Sequence, residues 1–170
     1  MQQKPSEVVL GRTRFETALQ VRPDDIDMNQ HVHGSRYFDY VLAARYDQME
    51  RCYKMSMEEF LARGLGWFVQ TAHIEYKRQL GLGERFIVKT WVQEILATGV
   101  RVDFEILKLP ARKISCEGYF NYALIDMATS FISSEGPSAK TRSQSYTASA
   151  TEACPPRTSS GSLHRHFGNM

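Results

Sequence analysis

The spacing of apolar residues changes once along this chain. Residues 14–22, "RFETALQVR", alternate, with Phe15, Thr17, Leu19 and Val21 on one face and Arg14, Glu16, Gln20 and Arg22 on the other. A period of two predicts a half-buried strand. Pro23 ends it, because proline cannot donate to a ladder. From Ser35 the step lengthens. Tyr37, Phe38, Val41, Leu42, Met49, Cys52 and Tyr53 recur three and four residues apart, which predicts an amphipathic helix of about five turns. Arg36 with Asp39 and Asp47 with Arg51 are spaced to pair on its polar side. "SMEE" then reads as a capping box opening a shorter helix at Ser56, and Gly64 as its stop.

The remainder has strand character. "WFVQTAHIEYKR" (67–78) runs into "QLGLGE", whose glycines signal a turn. Residues 85–97 put Phe86, Val88, Val92 and Leu96 on one face, and residues 100–108 put Val100, Val102, Phe104 and Ile106 inward. "ISCEGYFNYALIDM" (114–127) closes the series. Short connections imply antiparallel neighbours. The predicted class is α+β: a main helix packed on a curled antiparallel sheet of about five strands. Such a sheet has open edges that must be covered or paired, and dimerisation is the simple remedy.

Composition adds limits. The chain has 170 residues, 42% apolar and 24% charged, which fits one globular domain. No apolar run is long enough to span a membrane, and the first residues lack the apolar region of a signal peptide. Residues 1–132 carry 17 basic and 17 acidic side chains, a neutrality that argues against a nucleic-acid-binding surface. Cys52, Cys116 and Cys154 are odd in number and widely spaced, so no disulfide framework and no zinc pattern is expected. A cytoplasmic location fits. Residues 133–170 contain 13 Ser or Thr and little apolar periodicity. They read as a disordered tail behind a domain of residues 1–132.

The candidate chemistry sits between strand and helix, in "DDIDMNQHVHG". Three readings compete for Asp24, Asp25, Asp27, Asn29, His31 and His33. Turn chemistry is one, since Asp and Asn bond their own backbone and cap helices. A metal site from Asp27, His31 and His33 is another. In the third, a carboxylate works against the N-terminus of the helix. The first helical turn presents unpaired N–H groups, and Gly34 lets a substrate approach the backbone. Such N–H groups stabilise a developing oxyanion, while an upstream carboxylate attacks the carbonyl or activates water. A thiolate, with a thiol pKa of about 8.5, is a suitable leaving group. No GxSxG nucleophile elbow occurs.

The series of strand, "VRPDDIDMNQHVHGSRYFDYVLAARY", helix, and "IEYKRQLGLGERFIVKTWV" resembles the hotdog-fold acyl-CoA thioesterases of the 4-hydroxybenzoyl-CoA thioesterase type, over about residues 12–127. The D-x-D-x-x-x-H-V loop, the tyrosine-rich helix entry and an "EYKR…LGLGE" hairpin occur in order. The resemblance implies a long central helix wrapped by an antiparallel sheet. It also implies a homodimer or homotetramer joined through sheet edges, an acyl-CoA substrate, and no metal or organic cofactor. It puts the catalytic carboxylate at Asp27 and the carbonyl-polarising N–H near Gly34. "DMNQH" is also similar to the plant acyl-ACP thioesterases, which implies roles for Asn29 and His31. The chain departs from these relatives at His33–Gly34, where many read two asparagines. It departs again at Gln79 and Leu80, where the plant enzymes carry an acid and a cysteine, so the mechanism rests on Asp27.

The expected function is therefore hydrolysis of an acyl-CoA to free acid and CoA. Asp27, Asn29, His31 and Gly34 form the expected catalytic set. Tyr37 is expected at the acyl pocket, and Lys77 and Arg78 at the CoA phosphates. The rival expectations are an acyl-thioester-binding protein without turnover, and a hydro-lyase on the same fold.

Overall fold

A computed structural model describes residues 13–129 and Cys154. The expected tail falls outside these residues except at Cys154. Strand β1 (Phe15–Gln20) leads through a 3-10 turn (Pro23–Asp25) and the acidic loop into helix α1 (Gly34–Arg51). Helix α2 (Met57–Ala62) follows, then β2 (Leu65–Tyr76), β3 (Arg85–Ile95), β4 (Gly99–Lys108) and β5 (Lys113–Asp126). The periodicities locate these elements to within two or three residues. Thr17 and Val21 are buried beside Phe15 as the alternation requires, and Val102, Phe104 and Ile106 lie fully inside. The Ser56 capping box forms with both of its bonds. Gly64 takes φ +71°, the left-handed conformation of a helix stop.

The strand order is β1-β3-β4-β5-β2, with every pairing antiparallel. The architecture is α+β, a five-stranded curled sheet around α1, as the resemblance implies. One expectation fails. The segment "EYKRQLGLGER" is not a hairpin, because β2 pairs with β5 and is not a neighbour of β3. The glycine-rich turn signal is genuine, but a turn fixes chain direction and not the neighbour. Here the residues from 77 to 84 cross the end of the sheet. Leu80, fully buried, anchors that crossing in the core.

An irregularity in β2 decides which of its side chains reach α1. A bulge between Val69 and Thr71 shifts the register of β2 against β5. An added residue flips which side chains face inward beyond it. Trp67 and Val69 oppose Leu124 and Tyr122, and beyond the bulge Ala72, Ile74 and Tyr76 oppose Phe120, Gly118 and Cys116. All five β2 residues thus look to the α1 side. Gly118 is required here, because a Cβ would sit 1.9 Å from the His73 carbonyl oxygen.

A buried polar cluster fixes α1 to the β1–β3 edge. Gln48 is fully buried. Its Nε2 donates to the Phe15 carbonyl, the Val88 carbonyl and Thr17 Oγ1, and its Oε1 accepts from Thr90 Oγ1. Thr17 in turn donates to Asp47 Oδ2 at 2.6 Å. The cysteine expectation also needs correction: Cys52 joins Cys154 in a disulfide, with Cα atoms 4.9 Å apart. The partners are 102 residues apart in sequence, so spacing alone gave no sign of the pair. Among the described residues no helix is long and apolar enough to cross a membrane.

Candidate active site

The acidic loop is a small closed structure. Ile26 and Val32 form an antiparallel bridge. Inside it, Asp27 N–H donates to the His31 carbonyl at 2.9 Å, and Gln30 N–H donates to the Asp27 carbonyl at 3.0 Å. Gln30 takes φ +61° to turn the chain. Two further bonds dock the loop. Val32 N–H donates to the Leu80 carbonyl of the crossing segment, and His33 N–H donates to the Asp25 carbonyl.

The three acids have separate fates. Asp24 is exposed. Asp25 is 1% exposed and accepts from the Tyr40 phenol at 2.8 Å and from Arg22 at 3.1 and 3.2 Å. Arg36 Nε lies 3.6 Å away. Burial opposes ionisation of Asp25, but the Arg22 and Tyr40 hydrogen bonds outweigh it and hold the carboxyl below its ordinary range. Asp25 is thus more than the ordinary turn acid that turn chemistry supposes. Asp27 is half-buried. Its Oδ1 accepts from Asn29 N–H at 2.8 Å and from His31 N–H at 3.5 Å. The loop therefore fixes one carboxylate oxygen through its own backbone, and Oδ2 takes no hydrogen bond from a described residue.

At the helix entry His33 is the N-cap of α1, and its Nδ1 accepts from Ser35 N–H at 3.3 Å. Arg36 N–H donates to the His33 carbonyl. Gly34 N–H donates to no described residue. The Gly34 carbonyl accepts from the Tyr76 phenol at 2.8 Å, so the end of β2 sits directly against the first helical turn. His33 Nδ1 is engaged in the helix cap, and among the described residues no three His, Cys, Asp or Glu side chains gather as a metal set.

Tyr37 is 3% exposed, and its phenol oxygen accepts from Leu80 N–H at 3.1 Å. Its ring stands edge-on to Tyr76, 5.2 Å between centroids. Tyr37 is thus packed behind Tyr76, which sequence reasoning did not single out. Only the bulge turns Tyr76 inward, and nothing in "TAHIEY" announces a bulge. Lys77 lies between Glu75 (2.5 Å) and Glu117 (3.3 Å), and the Glu75 hydrogen bond raises the pKa of its ammonium. Arg78 is exposed, with Nη1 donating to the Ile114 carbonyl at 2.8 Å.

A second feature lies further along α1. A cavity of about 140 Å³ is lined by Leu42, Arg45, Tyr46, Met49, Trp67 and Tyr122, with Met57, Val69 and Val100. It sits between the C-terminal half of α1 and the start of β2.

Comparison with known proteins agrees with this fold. The family model of the thioesterase-like superfamily matches residues 21–157. The chain is 23% identical over 115 residues to the long-chain acyl-CoA thioesterase FadM of Escherichia coli, covering 68% of this chain and 86% of that protein. Its fold is similar to that of a DHNA-CoA thioesterase from Staphylococcus aureus, with a TM-score of 0.72 at 18% identity, covering 78% of this chain and 88% of that one. It is also similar to a hypothetical protein from Staphylococcus aureus solved in complex with CoA, with a TM-score of 0.68 at 17% identity, covering 85% and 90% of the two chains.

Proposed function

Since this chain belongs to the thioesterase-like superfamily, whose activity is thioester hydrolysis, we propose that its substrate is an acyl-CoA and that Asp27 carries the reaction. The observation behind this reading is the Ile26–Val32 bridge, which ties a partly tethered carboxylate to the entry of α1.

In this reading the thioester carbonyl oxygen lies against the Gly34 N–H, where the positive end of the α1 dipole stabilises the developing oxyanion. Asp27 Oδ2 either takes a proton from water as the water attacks the carbonyl carbon, or attacks it directly. The C–S bond breaks and the sulfur leaves as thiolate and is protonated; in the direct route water then hydrolyses the acyl–Asp27 anhydride, and by either route the products are a free acid and CoA. Asn29 and His31 act through their backbone N–H groups by orienting Oδ1, and the half-buried His31 ring borders the same loop. Tyr76 steadies the Gly34 peptide, with Tyr37 packed behind it. Contact with the CoA phosphates is assigned first to Arg78, because two carboxylates already compensate Lys77. A homodimer is favoured, since β2 is a 12-residue edge strand with its outer side unpaired among the described residues.

The test is thiol release from a panel of acyl-CoA substrates. The native protein is expected to turn over at least one of them, and Asp27→Asn to lose on the order of 10²–10⁴ in kcat. Wild-type rates in Asp27→Asn would remove Asp27 from the mechanism.

A further inference from the structure

The first two peptide units of α1 are held in different ways. The Gly34–Ser35 peptide is fixed at both ends. Its N–H donates to His33 Nδ1 at 3.3 Å, and its carbonyl accepts from the Tyr76 phenol at 2.8 Å. The His33–Gly34 peptide is fixed at one end, where its carbonyl accepts from Arg36 N–H at 2.9 Å. At its other end Gly34 N–H donates to no described residue. The direction of that N–H therefore depends on the peptide that follows, and so on His33 and Tyr76. The mechanism above uses the Gly34 N–H but gives the His33 ring no part.

The cap also sets the state of the ring. A nitrogen that accepts a hydrogen bond carries no proton, so neutral His33 is the Nε2–H tautomer. Ser35 Oγ lies 2.9 Å from the same Nδ1. Protonation reverses the roles. Nδ1–H can then only donate, Ser35 Oγ takes that bond, and Ser35 N–H loses its acceptor. The new charge also sits at the positive end of the α1 dipole, which disfavours the helix entry. His33 is exposed, so its ring follows the pH of the solvent. Histidine is the side chain that ordinarily changes charge between about pH 5 and 8. An asparagine would cap the helix in the same way and would not titrate.

Other charged groups stand around this entry. They are Arg22, Asp24 and Asp25 at the 3-10 turn, Asp27 and His31 in the loop, Arg36 and Asp39 on α1, and Tyr76 with Lys77 at the end of β2. The arginines stay cationic. Glu75 raises the pKa of Lys77, burial raises that of the Tyr76 phenol, and Asp25 is held below its ordinary range. These three thus keep one charge state above about pH 5. Asp24, Asp27, Asp39 and His31 are the groups from which His33 has to be separated.

We propose that His33 is a pH-dependent positioning residue for the hydrolysis: neutral, it caps α1 and aims the Gly34 N–H at the thioester carbonyl, and charged, it releases that aim. Hydrolysis then falls in mild acid for a reason separate from Asp27. The proposal rests on the hydrolase reading for the use of the Gly34 N–H, but not for the state of the ring.

Two measurements on the intact protein test it. Long-range proton–nitrogen NMR spectra of labelled protein read the tautomer and charge of each histidine ring. At about pH 8 His33 is expected as the Nε2–H tautomer, and the Ser35 amide signal is expected to titrate with the midpoint of that ring. An Nδ1–H tautomer, or a Ser35 amide indifferent to the ring, overturns the proposal whatever the activity. The second measurement is kcat and KM for hexanoyl-CoA, palmitoyl-CoA and benzoyl-CoA from about pH 5 to 8. Wild-type kcat is expected to fall towards acid by a factor of about 2 to 30, the range of an N-cap bond. The fall should share the midpoint of the His33 ring and leave KM nearly unchanged. His33→Asn should lose the limb at that midpoint. His33→Ala, uncapped at every pH, should lose it too and have a lower kcat throughout. The pH ratio is internal to each variant, so a partly folded preparation does not mimic the effect. An unchanged limb in His33→Asn assigns the titration to one of the other four groups. That result, or a rate that rises as His33 charges, overturns the proposal and leaves the hydrolase reading intact. No turnover of any of the three substrates overturns both the hydrolase reading and the positioning role.

Discussion

The Tyr40 phenol donates to Asp25 Oδ2 at 2.8 Å, deep in the protein, and so joins the acidic loop to the second turn of α1. The same aspartate holds His33 N–H through its carbonyl and Arg22 through both carboxylate oxygens. It is the frame on which the Asp27 loop and the helix entry keep their relative position.

Replacing that frame should cost stability. Asp25→Ala leaves the Tyr40 phenol without its acceptor and is expected to destabilise the fold by about 2–4 kcal/mol. Arg22 is largely exposed and regains water, which places the value below that of a fully buried ion pair. Urea unfolding monitored by circular dichroism measures it. Tyr40→Phe should cost less, about 1–2 kcal/mol, because the carboxylate keeps Arg22.

The same contact sets a pH dependence. The folded Asp25 carboxyl titrates below its ordinary value, so the unfolded chain binds its proton first as pH falls. Its contribution is therefore complete above the unfolded pKa of about 3.9. That contribution disappears as pH falls through the lower, folded value. Stability curves of wild type and Asp25→Asn are expected to lie apart at neutral pH and to converge in acid. A constant separation down to acid unfolding would remove Asp25 from the linkage.

How much of the fold and the site was legible in the sequence depends on range. Alternation at Phe15, Thr17 and Val21, the helical spacing from Tyr37 to Met49 and the Ser56 capping box are local, and the elements formed where local physics required. The neighbours of β2 are set by how the whole sheet curls, so "LGLGE" read as a hairpin although it is a crossing. Asp25 and Asp27 differ by two positions and by no sequence signal. What separates them is Tyr40, on the second turn of α1, together with Arg22. Tyr76 reaches Gly34 only because of the bulge after Val69. That Trp67 and Tyr122 share a face was invisible for a similar reason, since it follows from the β2–β5 register.

Gln48 gives a separate test of packing. Its amide satisfies Thr17, Thr90 and the carbonyls of Phe15 and Val88 at once. Gln48→Leu keeps volume but removes these bonds, and is expected to cost about 2–4 kcal/mol. Thr17 and Thr90 keep their bonds to Asp47 and Arg45, so the loss comes mainly from the two strand carbonyls and the Thr90 hydroxyl proton. Thermal unfolding of the wild type and Gln48→Leu reads it, and an unchanged Tm would mean that the amide contributes nothing to stability.

Cys116 offers a chemical probe. It is fully buried, and burial pushes its thiol up to about 12. A protonated, enclosed thiol is a poor nucleophile. Under native conditions Cys116 should stay unmodified by iodoacetamide and react readily in denaturant, with peptide mass spectrometry as the readout. Rapid native labelling would require local opening of β5 against β2 and β4.

Gly34 separates stability from catalysis. A Cβ there would stand 3.4 Å from the Tyr76 Oη and 3.7 Å from its Cζ, ordinary contacts on a side chain that is itself half exposed. Gly34 opens α1, and alanine is the better helix former by about 0.5–1 kcal/mol in a helix interior. Gly34→Ala is therefore expected to fold normally, with a Tm equal to or slightly above that of the wild type. If the thioester carbonyl lies against the Gly34 N–H, the added methyl crowds its approach, and kcat/KM is expected to fall by about 10². Measuring both quantities on one preparation resolves the question. A lower rate at unchanged Tm supports the helix entry as the oxyanion site, and an unchanged rate moves that site away from Gly34.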